Sequence, residues 1–138
     1  MIVSHLSELL LYPVAERGVP NQERIPIYVQ ETIDMGRYGI MAGYAGNAGF
    51  AAPLKDNLFW FGDSVVNAGD WILIYTGTGS PSSFDLTQSP GSKVYVVHWG
   101  RSITMFANSQ IVPILFRTDA AIVGIPQGDM LQLGGSNA

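Results

Sequence analysis

The chain has 138 residues, enough for one domain, and no cysteine, which excludes disulfide staples, thiolate metal sites and a cysteine nucleophile. Charged residues make up only 13%, against about 25% in an ordinary soluble domain. The net charge is −4 and the seven basic residues are scattered singly, so no basic face for nucleic acid is expected.

The N-terminal stretch MIVSHLSELLLYPVAERG is interrupted by Glu8 and has no basic n-region, which makes it a poor signal peptide. No apolar run reaches the roughly 20 residues that cross a bilayer. The expectation is a cytoplasmic protein without a membrane partner. Leu6, Leu9 and Leu10 suit a helix face within Val3 to Leu11, but Leu9-Leu10-Leu11-Tyr12, stopped by Pro13, suits a buried strand better.

Strand-like runs then follow almost without break. They are Ile25 to Gln30, whose Pro26 suits an edge or a strand start, Arg37 to Tyr44, Leu58 to Phe61, Asp70 to Thr76, Lys93 to Trp99, Ser102 to Phe106, Ile111 to Arg117 and Ala120 to Ile125. Turn residues separate them at Val19-Pro20-Asn21, Asn67-Ala68-Gly69, Gly77 to Pro81, Ser89-Pro90-Gly91, Ala107-Asn108-Ser109 and Thr118-Asp119. Ala42 to Pro53, nearly all Gly, Ala and aromatic, reads as a mobile stretch. Short β runs at this spacing predict an all-β, single-domain antiparallel β-sandwich over 1–125, with a flexible tail over 126–138.

Glycine-rich Gly77-Thr78-Gly79-Ser80 follows the strongest strand, as phosphate loops do. No Lys follows before Lys93 and no helix opens after Pro81, so a turn is the better expectation than a nucleotide site. No cofactor is expected. With only His5 and His98, no histidine-rich metal site can form within one chain.

His98-Trp99-Gly100-Arg101 is the most chemically loaded tetrapeptide. Histidine exchanges protons and the arginine fork binds anions, so these residues make a candidate site at a strand end. A packed Trp99, a bend at Gly100 and a solvated Arg101 are the structural alternative. In Phe59-Trp60-Phe61, alternation puts the two Phe on one face and Trp60 on the other. An exposed Trp60 would mark a protein interface or a carbohydrate platform. The candidate binding residues are thus Trp60, His98, Trp99 and Arg101. No catalytic residue is assigned. Asp63 and Asp70 are expected to cap turn amides, unless one of them joins His98 in a small hydrolase site.

The order of several signals resembles the lamin-tail domain, an immunoglobulin-like β-sandwich. They are Asn21-Gln22-Glu23-Arg24-Ile25, Ile33 to Tyr38, Phe59-Trp60-Phe61-Gly62-Asp63, Asn67-Ala68-Gly69-Asp70, Ile74-Tyr75-Thr76-Gly77, Trp99-Gly100 (a pair found in bacterial members) and the run from Phe106 to Val123. The chain departs from that family's pattern at Asn108-Ser109-Gln110, where Gly-Asp usually starts a strand, and in carrying Pro113 inside that strand. The resemblance implies a scaffolding or binding role and brings no catalytic residues. The expected function is a non-enzymatic module that self-associates or binds a protein. The alternatives are carbohydrate binding through Trp60, Tyr44 or Trp99, and a hydrolase centred on His98.

Overall fold

The computed structural model describes residues 5–128. Their strands are β1 (Leu9–Leu11), β2 (Arg24–Val29), β3 (Ile33–Asp34), β4 (Tyr38–Ala45), β5 (Ala51–Trp60), β6 (Val65–Val66), β7 (Trp71–Tyr75), β8 (Ser82–Asp85), β9 (Lys93–His98) and β10 (Ile111–Arg117), with single 3₁₀ turns at Met35–Arg37 and Asn47–Gly49. A five-stranded sheet runs β1-β2-β7-β9-β8, a three-stranded sheet runs β10-β4-β5, and β3 pairs with β6. The fold is all-β, but not wholly antiparallel as the sequence led us to expect. β7 and β9 are parallel, because β8 takes the outer edge and β9 returns beside β7 in the same direction.

Alternation explains the core. Ile25, Ile27 and Val29 of β2 and Ile72 and Ile74 of β7 turn inward from the large sheet; Tyr38, Ile40 and Ala42 of β4 turn inward from the small one. With Met35, Val66 and Phe106 they form one buried cluster. Burial of this apolar surface is the main driving term of the fold.

Several expectations need correction. Pro26 is not on an edge strand, since β2 lies between β1 and β7. Its carbonyl accepts from Tyr12 N at 2.9 Å, so its missing N–H also faces the β1 side, where that short strand has already ended. Ala42 to Pro53, read as a mobile stretch, is largely strand: β4 continues to Ala45 and β5 begins at Ala51, joined by a 3₁₀ turn. Ser102 to Phe106 is not a strand: the amides of Met105 and Phe106 are taken by the Glu23 carboxylate. Ala120 to Ile125 follows β10 as irregular chain with Ile122, Val123 and Ile125 exposed. Apolar residues make no strand without a sheet edge to pair with. Of the expected tail, 126–128 is exposed irregular chain and 129–138 lies outside the described residues, as do Met1 to Ser4.

The four edges of the two larger sheets each carry a device against further pairing. β1 is three residues long and ends before Pro13, and β10 carries Pro113. β5 is bulged between its pairings with Met41 and Gly43, with Asp56 at φ 57°. β8 is four residues long and ends in Asp85, paired to Lys93 at 2.9 Å.

Candidate functional site

The four candidate residues fall into two places. His98, Trp99 and Arg101 stand together where β7 and β9 end. The ladder runs on past the strands: Trp99 N donates to Tyr75 O, Gly100 N to Gly77 O and Arg101 N to Thr76 O at 2.8–2.9 Å. Gly100 makes this path possible with φ at 84°, where a side chain would be strained. Trp99 turns inward against the core, 5.8 Å from the Phe59 ring. Arg101 lines an open cleft and donates through Nη1 to Asp56 O at 3.2 Å.

His98 points to the outer face of the large sheet. Its ring lies 5.6 Å from that of Tyr75, over which the Arg24 guanidinium sits at 5.7 Å. Gly79 rests on the other side: a Cβ there would stand 2.6 Å from Nε2 and 2.7 Å from Nδ1. His98 Nδ1 is buried and has no hydrogen-bond partner among the described residues. The Gly-Thr-Gly-Ser turn therefore covers an imidazole, and its second glycine is required by close approach. We expect Gly79→Ala to destabilise the fold by about 1–3 kcal/mol through overpacking, and by much less in a His98→Ala background. Equal losses in both backgrounds, measured by urea unfolding, would assign the effect to something other than this contact.

The hydrolase pairing is not assembled with Asp70. In the parallel ladder Trp71 faces Val94 and Tyr75 faces His98, so Asp70 and His98 stand at opposite strand ends, roughly 16 Å apart at 3.3 Å per residue. Both Asp70 oxygens are engaged, by Asn67 N at 2.8 Å and Lys93 N at 2.9 Å. This is the capping role expected of it. Asp63 lies over Gly36, beside the β3–β6 pair.

Trp60 stands apart from the other three, on the outer face of the three-stranded sheet. Trp60 pairs with Gly39, and Gly39 with Phe116. The Phe116 ring crosses the glycine to meet the indole edge-on at 5.4 Å. The next rows are Leu58–Met41–Ile114 and Pro53–Gly43–Val112, where Ile114 lies over Gly43. These three rows contain no charge. Trp60 is 49% exposed and Leu58 46%. Phe59, on the opposite face, packs on the core, as alternation predicted. The outer face of the large sheet carries a second aromatic group, with Tyr12 and Tyr28 each about 5 Å from Trp71.

Two carboxylates that the sequence did not single out as sites organise these surfaces. Glu23 is 1% exposed and accepts from Gly18 N, Thr76 Oγ1, Met105 N and Phe106 N at 2.6–3.0 Å. Burial pushes its carboxyl pKa up, but the four donors outweigh it and hold it below the usual range. Glu8 accepts from the Tyr38 hydroxyl at 2.5 Å and from Arg117 Nη1 at 2.6 Å. Arg117 also grips Asp119. Glu8 gave one advance signal, an acid among leucines, and Glu23, between Gln22 and Arg24, gave none; their partners lie as far as 109 and 83 residues away.

Among the described residues no group of three or more His, Cys, Asp or Glu could hold a metal, and no helix is long and apolar enough to cross a membrane. No known family model, curated protein or solved structure matches the chain.

Proposed function

We propose that the chain is a non-enzymatic, immunoglobulin-like β-sandwich module, akin to lamin-tail domains, that associates with a second copy of itself through the outer face of its three-stranded sheet. One observation carries this: the rows Trp60–Gly39–Phe116, Leu58–Met41–Ile114 and Pro53–Gly43–Val112 are uncharged and include two half-exposed large side chains. Contiguous apolar surface of this kind marks interaction sites. Uncharged rows of this kind favour an equally uncharged partner, and the chain supplies one in itself. The blunted edges direct association to faces rather than to strand addition.

Light scattering after gel filtration at micromolar concentration should give more than the monomer mass of 14.9 kDa. Trp60→Lys and Leu58→Lys should each weaken association by about 30-fold or more, the loss of a hot-spot side chain worth about 2 kcal/mol. Both positions are half-exposed, so circular dichroism should stay unchanged. A monodisperse monomer would overturn self-association and leave a different protein as the partner.

Trp60 supports a second reading. It borders an open cleft of about 330 Å³ with Arg37, Thr118 and Asp119. An aromatic plane beside polar side chains suits a sugar ring. Saturable quenching of tryptophan fluorescence by an oligosaccharide, lost in Trp60→Ala, would favour this reading over self-association.

A further inference from the structure

The cleft beside Arg101 is a different place, built by different residues. It encloses about 280 Å³ and is lined by Asn21, Thr76, Gly77, Arg101, Ser102 and Thr104, with Pro20 and Ile103 completing it. This is slightly below the usual range for small-molecule sites.

Its walls are fixed. Asn21 sits at φ 64° in a turn closed by Gln22 N and Glu23 N, both donating to Val19 O. Thr76 is held by its hydroxyl on Glu23, and Arg101 N donates to Thr76 O. The same Glu23 carboxylate anchors Met105 and Phe106, just past Thr104. Glu23 therefore acts as a positioning residue for three sides of the cleft. A Cβ at Gly77 would lie 3.4 Å from Asn21 Oδ1, in ordinary contact with that wall.

Arg101 is the one charged residue lining this cleft. Arg37, Lys93 and Arg117 each have a carboxylate within 4.0 Å. Arg101, like Arg17, Arg24 and Lys55, has none among the described residues, and it donates one hydrogen bond, to Asp56 O. A guanidinium has five N–H donors in a planar fork. Arg101 shares the lining of the cleft with Ser102, Thr104 and Asn21.

We infer that this cleft binds the carboxylate of a small organic acid. The planar fork matches a carboxylate bidentately. Ser102, Thr104 and Asn21 supply further donors, and Pro20 and Ile103 offer apolar contact for the rest of the molecule. One guanidinium, above a buried Glu23 carboxylate in a protein of net charge −4, suits a monoanion better than a phosphate dianion.

The test is a titration of ¹⁵N-labelled protein with sodium benzoate, followed by amide chemical shifts. Benzamide serves as the neutral isostere, and sodium chloride at matched ionic strength as the control. Benzoate should shift the amides of Gly77, Arg101, Ser102 and Thr104 saturably, and benzamide and chloride should not. Arg101→Gln should weaken benzoate by about tenfold or more. Arg101→Lys, which keeps the charge without the fork, should fall between. Should the Gln variant fail to fold, the Lys variant and Ser102→Ala decide. Absence of saturable shifts, equal binding of benzamide, or unchanged affinity in the folded variants would overturn the assignment. The assembly face lies on the other sheet, so loss of association in Trp60→Lys and loss of benzoate in Arg101→Gln fail independently.

Discussion

Glu23→Ala is expected to lower the unfolding free energy by about 5 kcal/mol, the largest effect of any single change in this chain. The carboxylate is buried at 1% exposure and satisfies three backbone N–H groups and one hydroxyl. An unsatisfied buried donor costs about 1–3 kcal/mol. Four such groups, partly relieved by water entering the space, sum to a loss comparable with the whole stability of a small domain, about 5–15 kcal/mol. Glu23→Gln keeps the shape but turns an NH₂ toward two of the donors, and should lose roughly half as much. Urea unfolding should therefore rank wild type, Gln and Ala in that order. A loss under about 1 kcal/mol for Ala would show that the loop after β9 is held by its packing, chiefly Phe106, and not by the carboxylate.

The Glu23 hub also explains where the sequence misleads. Ser102 to Phe106 alternates like a strand, yet its amides at 105 and 106 are taken by a side chain 82 and 83 residues earlier. No local pattern encodes that. Conversely β8 has an undistinguished composition and all four of its residues are exposed. It is a strand because β9 offers it an edge, which is tertiary context overriding propensity. Elements whose own residues decide the outcome were legible. β2, β7 and β10 begin and end within one residue of the expected runs, because Ile, Val and Leu are dense there.

The candidate site was legible in the same measure. Trp60 lies opposite Phe59 and Phe61 because strand period alone settles that. Asp70 caps a turn because Asp does so locally. The grouping of Arg101 with Asn21 and Thr76 was not legible, since it depends on the parallel ladder of β7 and β9 and on the turn at Val19. The three uncharged rows on the outer face of the small sheet were legible only as low overall charge. Their position follows from the register of β4 with β5 and β10, and their flatness from Gly39 and Gly43, where Phe116 and Ile114 lie across the strand.

Acid should open the seam between the two sheets at Glu8. This residue directly precedes β1 of the large sheet, while Tyr38 and Arg117 belong to β4 and β10 of the small one. The Tyr38 hydrogen bond does most to lower the Glu8 carboxyl pKa, burial opposes it and Arg117 reinforces it, so that it falls from 4.5 to about 2. The folded value lies below the unfolded one. The carboxylate therefore stabilises the fold fully above about pH 4.5, and that stabilisation disappears as the pH falls toward about 2. At 1.36 kcal/mol per unit the shift corresponds to about 3 kcal/mol at neutral pH. Glu8→Gln should be about 3 kcal/mol less stable than wild type at pH 7, and the two stability curves should converge as the pH falls toward 2. Parallel curves would mean that Glu8 contributes packing and not charge. Convergence together with early hydrogen exchange at Leu9 to Leu11 would locate the acid-sensitive step at the β1–β10 side of the core, where the clamp joins the two layers.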